Sequence, residues 1–342
     1  MSRRTRRSYT QRKKGKKSLR ASRRQKGGAE PPIVNGKPSY TSNPPPGAPA
    51  IRKPVVQNSE SELHCRYLST KGPQYACDVY NTAPTVDYST VYCKPDITDI
   101  NKLLDSIDKP YILVIAQSDS SFPELLGNDS SKYIDHSNCI HIFAQNVTIA
   151  HDKVTAIPIG LDYHSQMEFD DAFGEPSASP VAQEKILQEI KDGSIPFAQR
   201  KLICYANFNS KNDTTHKIFG YDRQHAVEQI QKDLIDYQED KVTRSDTWRK
   251  QIQYAFVICP HGNGLDCHRQ WEALCLGCIP VVVTSPIDVL YKDLPVLILQ
   301  KWSDITPQLL QDTVTKFKDM KFNYDKLLLS YWVDKINSYK KH

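Results

Sequence analysis

Within residues 254–283, YAFVICPHGNGLDCHRQWEALCLGCIPVVV, Arg269 and Glu272 stand three residues apart. At helical geometry that spacing puts both side chains on one face. A guanidinium so placed can pair bidentately with a diphosphate, and a carboxylate one turn on can accept hydrogen bonds from two ribose hydroxyls. Upstream, His261-Gly262-Asn263-Gly264 reads as a turn in which two glycines adopt positive φ and let backbone N–H groups approach an anion. Asp266 is placed to N-cap the helix, whose positive dipole end faces the same loop. A helix N-terminus behind a glycine turn is an anion site, so the unit reads as a binder of a phosphate-bearing ligand. Taken alone, Arg269 and Glu272 read first as an i,i+3 surface ion pair worth roughly a few tenths of a kcal/mol. The glycine turn, the Asp cap and the preceding buried strand favour the ligand reading. His261 and His268 stay open between lining the site and being polar loop positions.

The elements that must carry this site alternate short β-rich runs with helical stretches, which predicts an α/β fold. In the first half the strands are 90–93, 111–116 (YILVIA), 140–143 and 154–157, with helices at 99–107 and 181–191. The run 111–116 is apolar throughout, as a parallel strand covered on both faces requires. Polar loops at 117–122, 145–146 and 158–164 leave strand ends, where open parallel sheets line their ligand crevice. The second half opens with a strand at 201–206, followed by a polar loop and helices at 222–237 and 246–253. Strand 254–259 leads into the motif, and after strand 279–283 come a short helix, a strand at 296–299 and helices at 306–320 and 324–340. The pattern breaks near 193–196, where Gly193 and Pro196 lie. This divides the chain into a tail over 1–55, a first sheet-centred unit over 56–195 and a second over 196–342 that carries the phosphate-ligand motif.

The tail is compositionally separate. Residues 1–30 hold 13 Lys/Arg against one acid, Glu30, a balance of +12 in a chain whose net charge is +6, so the remainder carries −6. Such a run buries no apolar surface and is expected to be disordered. It suits nucleic acid, an acidic membrane surface or a nuclear address, and equally a solubilising tail. Residues 31–55 continue it as a proline-rich linker. No apolar stretch follows the basic run as in a signal peptide, and no run is long enough to span a membrane, so a cytoplasmic location is expected. Nine cysteines with no export signal suggest reduced thiols. Cys275 and Cys278 have CxxC spacing, but no second ligand pair accompanies them at zinc-site spacing, and small buried side chains are the default reading.

The run FVICPHGNGLDCHRQWEALCLGCIPVV, continued by Leu290-Tyr291 and Asp293-Leu294-Pro295-Val296, resembles the donor-binding half of exostosin-like glycosyltransferases. Residues 112–119 (ILVIAQSD), 143–146 (FAQN) and 157–161 (IPIGL) resemble acceptor-domain segments more weakly, so the likeness covers roughly 85–305. It implies the GT-B architecture, two Rossmann-type domains facing across a cleft, and a nucleotide sugar as co-substrate held chiefly by the C-terminal domain. Carried over, Glu272 would hold the ribose, Arg269 the diphosphate, and Gly262, Asn263 and Gly264 the phosphate or sugar through backbone groups. Arg223 resembles a further phosphate-side arginine, and Asn207 and Asn209 are candidate donor contacts. GT-B enzymes need no metal bridge or other cofactor, and Asp170-Asp171 lacks the D-x-D spacing of metal-dependent transferases.

Sugar transfer needs an acceptor hydroxyl, on a glycan or a protein, deprotonated as it attacks, and charge on the leaving diphosphate stabilised. Asp119, just past a buried strand of the acceptor half, is the first candidate base, with Asp162 and His164 as rivals. Two other readings stay open. One is an epimerase or hydrolase of nucleotide sugars on the same fold. The other is a non-catalytic nucleic-acid-binding or structural protein, such as a virion component, acting through its basic tail.

Overall fold

The computed structural model describes residues 61–209 and 223–340; the basic tail, the proline-rich linker and the rest of the loop after Asn209 lie outside them. In chain order the strands are β1 (Val79–Tyr80), β2 (Ser89–Cys93), β3 (Tyr111–Ile115), β4 (Cys139–Ala144), β5 (Val154–Ala156), β6 (Lys201–Ala206), β7 (Ile235–Tyr237), β8 (Tyr254–Ile258), β9 (Ile279–Val283) and β10 (Leu297–Leu299). The helices are α1 (Gly72–Ala76), α2 (Ile100–Asp105), α3 (Ser130–Ile134), α4 (His164–Glu168), α5 (Pro180–Asp192), α6 (Arg223–Gln229), α7 (Arg244–Gln251), α8 (His268–Cys275), α9 (Pro307–Lys318) and α10 (Leu329–Asn337). They build two five-stranded sheets, all of whose pairings are parallel. The expected α/β architecture of two sheet-centred units is therefore present.

The sheets differ in order, and the difference decides where a ligand fits. The second runs β10-β9-β8-β6-β7. Its first strand lies inside the sheet, so chain direction reverses between β6 and β8, a topological switch point at whose carboxyl edge open α/β sheets bind ligands. The first runs β1-β2-β3-β4-β5 without reversal.

A sequential parallel sheet with right-handed crossovers places its connecting helices on one face. On that face Val91, Leu113, Ile115 and Ile142 pack with Leu103 and Leu104 of α2 and Tyr133 and Ile134 of α3. The other face, with Tyr92, Ile112, Val114 and Phe143, is covered by Leu329, Trp332 and Ile336 of α10. The last helix thus packs in the core of the first sheet. Conversely, Leu187 and Ile190 of α5 join Trp248, Trp271, Leu274 and Val282 around the second sheet.

Two local expectations are also corrected, and one strand, β1, is not among those expected. The helix expected over 222–237 ends at Gln229, and Ile235–Tyr237 is an edge strand pairing with β6, where ladder hydrogen bonds override helical periodicity. The two-residue β1 is too short to show a period of two. The helix expected over 324–340 is a 3-10 turn at Tyr324–Leu327 followed by α10. Among the described residues no helix is long and apolar enough to cross a membrane. None of the nine cysteines is in a disulfide, and Cys275 and Cys278 are buried.

Candidate active site

A cleft of about 350 Å³ opens at the switch point of the second sheet. Its walls hold Asn207, which follows β6, and Gly262, Asn263, Gly264 and Asp266, which follow β8, together with Arg223, Arg269 and Glu272. Facing them from the first half come Asp119, Ile159 and Asp162. The loops at 117–122 and 158–164 therefore line the cleft, as their strand-end positions predict. The loop at 145–146 acts one step behind them: Asn146 donates from Nδ2 to the Ser118 carbonyl at 3.0 Å, and its Oδ1 accepts from the Asp266 amide at 2.8 Å.

The two glycines of the turn serve a different purpose from the one expected. Among the described residues the glycines with positive φ are Gly127, Gly160, Gly174 and Gly277, not Gly262 or Gly264. What the turn needs is the missing Cβ. At Gly262 a Cβ would lie 2.9 Å from Cys267 Sγ and 3.2 Å from a terminal nitrogen of Arg223; at Gly264 it would lie 3.1 Å from Asn146 Nδ2 and 3.4 Å from the Asp119 Cα. The Gly262 amide is used within the loop, donating to the Gly264 carbonyl at 3.1 Å. His261 is buried and holds the same turn, with Nδ1 2.6 Å from the Leu265 carbonyl, and it does not line the cleft.

Asp266 is not the helix cap. The N-cap position of α8 is Cys267, with no side-chain cap bond. Asp266 instead ties the halves together: Oδ2 accepts from the Ile159 amide at 2.7 Å, while Oδ1 accepts from Gln270 Nε2 at 2.7 Å and Trp271 Nε1 at 2.8 Å. Burial pushes its carboxyl up to about 7 despite those donors.

Arg269 and Glu272 both line the cleft, yet they do not pair with each other. Arg269 lies over the Phe208 ring, 5.3 Å from its centroid. Burial first, and then the Arg269 charge, lowers Arg223 below the ordinary guanidinium range. Among the described residues neither arginine meets a carboxylate, and both stand on the cleft wall that carries the glycine turn. Glu272 is claimed by a residue the motif does not contain. Arg244, at the first turn of α7, donates to Glu272 Oε1 from Nε at 3.0 Å and from Nη2 at 2.8 Å, and from Nη1 to the Asp162 carbonyl at 2.6 Å. Both donors to Glu272 fall on Oε1; its Oε2 accepts no hydrogen bond from the described residues. The one sequence signal for Arg244 is a cation at a helix N-terminus, where the dipole disfavours it; an expected start at 246 hides it.

The candidate bases separate clearly. Asp119 is exposed on the cleft wall. Asp162 is buried and occupied: it accepts from the Ser165 amide at 3.0 Å and hydroxyl at 2.7 Å, and His164 Nδ1 lies 2.9 Å from Oδ1. Burial raises its carboxyl, but the His164 contact and the nearby charges of His268, His164 and Arg244 win and hold it far below the usual carboxylate range. His164 serves Asp162 and is not on the cleft wall; His268, left open by the sequence, is on it, with Nδ1 2.8 Å from the Gly160 carbonyl. Asn207 lines the cleft and Asn209 does not.

No family model matches the chain, and no curated protein matches it. Among solved structures, a trehalose 6-phosphate synthase from Burkholderia multivorans overlays with a TM-score of 0.35 at 11% identity, over 74% of this chain and 71% of that one. An α1,3-fucosyltransferase gives 0.37 at 13% identity, over 74% and 77%. A trehalose-6-phosphate structure from E. coli bound with UDP-2-fluoro glucose gives 0.30 at 7%, over 75% and 71%. At these values the overlays carry nothing about substrate.

Proposed function

We propose that the protein is a glycosyltransferase that moves a sugar from a nucleotide-sugar donor to a hydroxyl of a glycan or protein. The observation that supports this reading most directly is the presence of Arg223 and Arg269 on the cleft wall that carries the Gly262–Gly264 turn, at a sheet switch point and opposite an exposed carboxylate, Asp119. Preorganised cations aimed at a developing diphosphate charge stabilise the leaving group without reorganising in the transition state. Glu272 Oε2, one helical turn from Arg269, is the ribose acceptor in this scheme. Asp119 is the base that takes the acceptor's proton, because it is exposed on the cleft wall while Asp162 is buried against Ser165 and His164. The exostosin-like resemblance of the motif adds the nucleotide sugar as the ligand class.

A thermal-shift series on the full chain with UDP-, GDP- and CMP-sugars tests this. A ligand that binds only the folded state raises the apparent melting temperature. One donor should do so for the wild-type chain and not for Arg269→Ala; equal shifts in both would remove the assignment.

A further inference from the structure

The cleft has a further stretch of wall that the scheme above does not use. It is lined by Phe173, Val242, Arg244, Thr247 and Gln251. Arg244, Thr247 and Gln251 are spaced i, i+3, i+7 on α7 and so present one helical face. Phe173 reaches this place from the first half on a strained turn, with φ of 60° at Asp171, 58° at Phe173 and 71° at Gly174. A left-handed backbone is a genuine outlier for a bulky aromatic residue, and such conformations cost free energy that the surrounding structure must over-determine. The strain does not serve burial, since Phe173 remains 41% exposed. Its ring stands over the Arg244 guanidinium, whose carbon is 4.8 Å from the ring centroid.

Gln251 supplies an independent sign. It is 1% exposed, it lines the cleft, and its Oε1 is buried with no hydrogen-bond partner among the described residues. A buried amide oxygen without a donor is costly, and each such group in a folded protein calls for an explanation.

The contacts along the cleft fall in one order. Arg269 and the glycine turn come first, then Glu272 one helical turn on, then Arg244 bonded to Glu272, then Phe173 stacked on Arg244. That is the covalent order of a nucleoside diphosphate: phosphates, ribose, base. We infer that Phe173 and the Thr247–Gln251 face of α7 form the nucleobase subsite, with the base stacked on the Phe173 ring and an N–H of its edge donated to Gln251 Oε1. This rests on the reading of the site as a nucleotide-sugar site, and it assigns the base-recognising residues that reading leaves open.

Calorimetry of the full chain with UDP, GDP and inorganic pyrophosphate tests it. With whichever nucleoside diphosphate binds the wild-type chain more tightly, Phe173→Ala should weaken binding about tenfold or more, the scale of lost base–aromatic stacking. Pyrophosphate affinity should not change. Phe173→Gly, which removes the ring and relieves the backbone, should lose binding equally while melting no lower than wild type, so a folding defect cannot imitate the result. Gln251→Leu should weaken the nucleoside diphosphate and spare pyrophosphate. Arg269→Ala should weaken both ligands. If Arg269→Ala abolishes binding while Phe173→Ala and Gln251→Leu leave it unchanged, the subsite is wrong and the nucleotide-sugar reading stands. If neither nucleoside diphosphate binds the wild-type chain, both fall.

Discussion

Arg244 places two of its nitrogens, Nε and Nη2, on the same oxygen of Glu272, at 3.0 and 2.8 Å, and leaves the second oxygen of that carboxylate without a donor among the described residues. The pair is largely out of water, the two side chains being 4% and 14% exposed. It also bridges the halves, because Arg244 Nη1 holds the Asp162 carbonyl. Glu272 is therefore at once a candidate ligand and a structural partner, which sets it apart from Arg269.

That distinction is measurable. Arg269→Ala should remove nucleotide binding and leave the urea midpoint nearly unchanged. Glu272→Ala leaves a buried guanidinium unpaired and should destabilise the chain by about 3 kcal/mol or more. A Glu272→Ala variant as stable as Arg269→Ala would mean the Arg244 pair is not held as described.

Substitutions at two glycines should fail in different ways. A Cβ at Gly160 would meet the Leu68 carbonyl oxygen at 2.4 Å, at a φ of +66°. Gly160→Ala should therefore cost several kcal/mol in denaturant melts, since backbone cannot move aside. A Cβ at Gly262 meets Cys267 Sγ and the end of Arg223, groups that can shift. Gly262→Ala should fold, with ligand affinity lowered through the displaced arginine; an unfolded Gly262→Ala chain would contradict this.

Among the carboxylates, Asp119→Asn should reduce turnover of the donor about 100-fold or more, the usual contribution of a general base, with donor affinity retained. Asp162→Asn should act chiefly on stability, because it disturbs the contacts to Ser165 and His164. Full turnover in Asp119→Asn would assign the base elsewhere.

Stability should carry a pH dependence from Asp266. Folded, its carboxyl keeps a proton up to about 7, because burial outweighs the bonds from Ile159, Trp271 and Gln270; unfolded, it ionises near ~3.9. Between those values the native state binds more protons than the unfolded state, so the Asp266 contribution falls as pH rises from about 4 to about 7 and is level above that. Urea midpoints of Asp266→Asn should vary less than wild type across this window, although the variant is less stable throughout because an amide cannot accept at both positions. An undiminished slope would show that another group is responsible.

The last helix offers a test of the fold itself. Trp332, buried against the first sheet and donating from Nε1 to the Lys326 carbonyl at 2.8 Å, should cost about 3–5 kcal/mol when truncated to Ala. The loss should appear in probes of the first sheet around Tyr92 and Phe143. A loss confined to the second sheet would contradict the packing.

The sequence by itself determined the elements with strong local signals. The apolar runs at β3, β8 and β9 were legible because both faces are buried, and the PHGNG turn and the Arg269/Glu272 spacing were legible because their periodicity is local. Only tertiary structure decided the rest. The partner of Glu272 is 28 residues away. Asp266 bonds an amide 107 residues away instead of capping its own helix, and α10 returns across the chain to cover a face that a sequential sheet leaves bare. Gly262 and Gly264 show the limit most plainly: glycine at a turn suggests positive φ from sequence, whereas here neither has it, and what marks each position is that groups from elsewhere in the chain crowd the place of its Cβ. Local propensity is written in neighbouring residues, while steric and ionic complementarity exists only between surfaces that folding brings together.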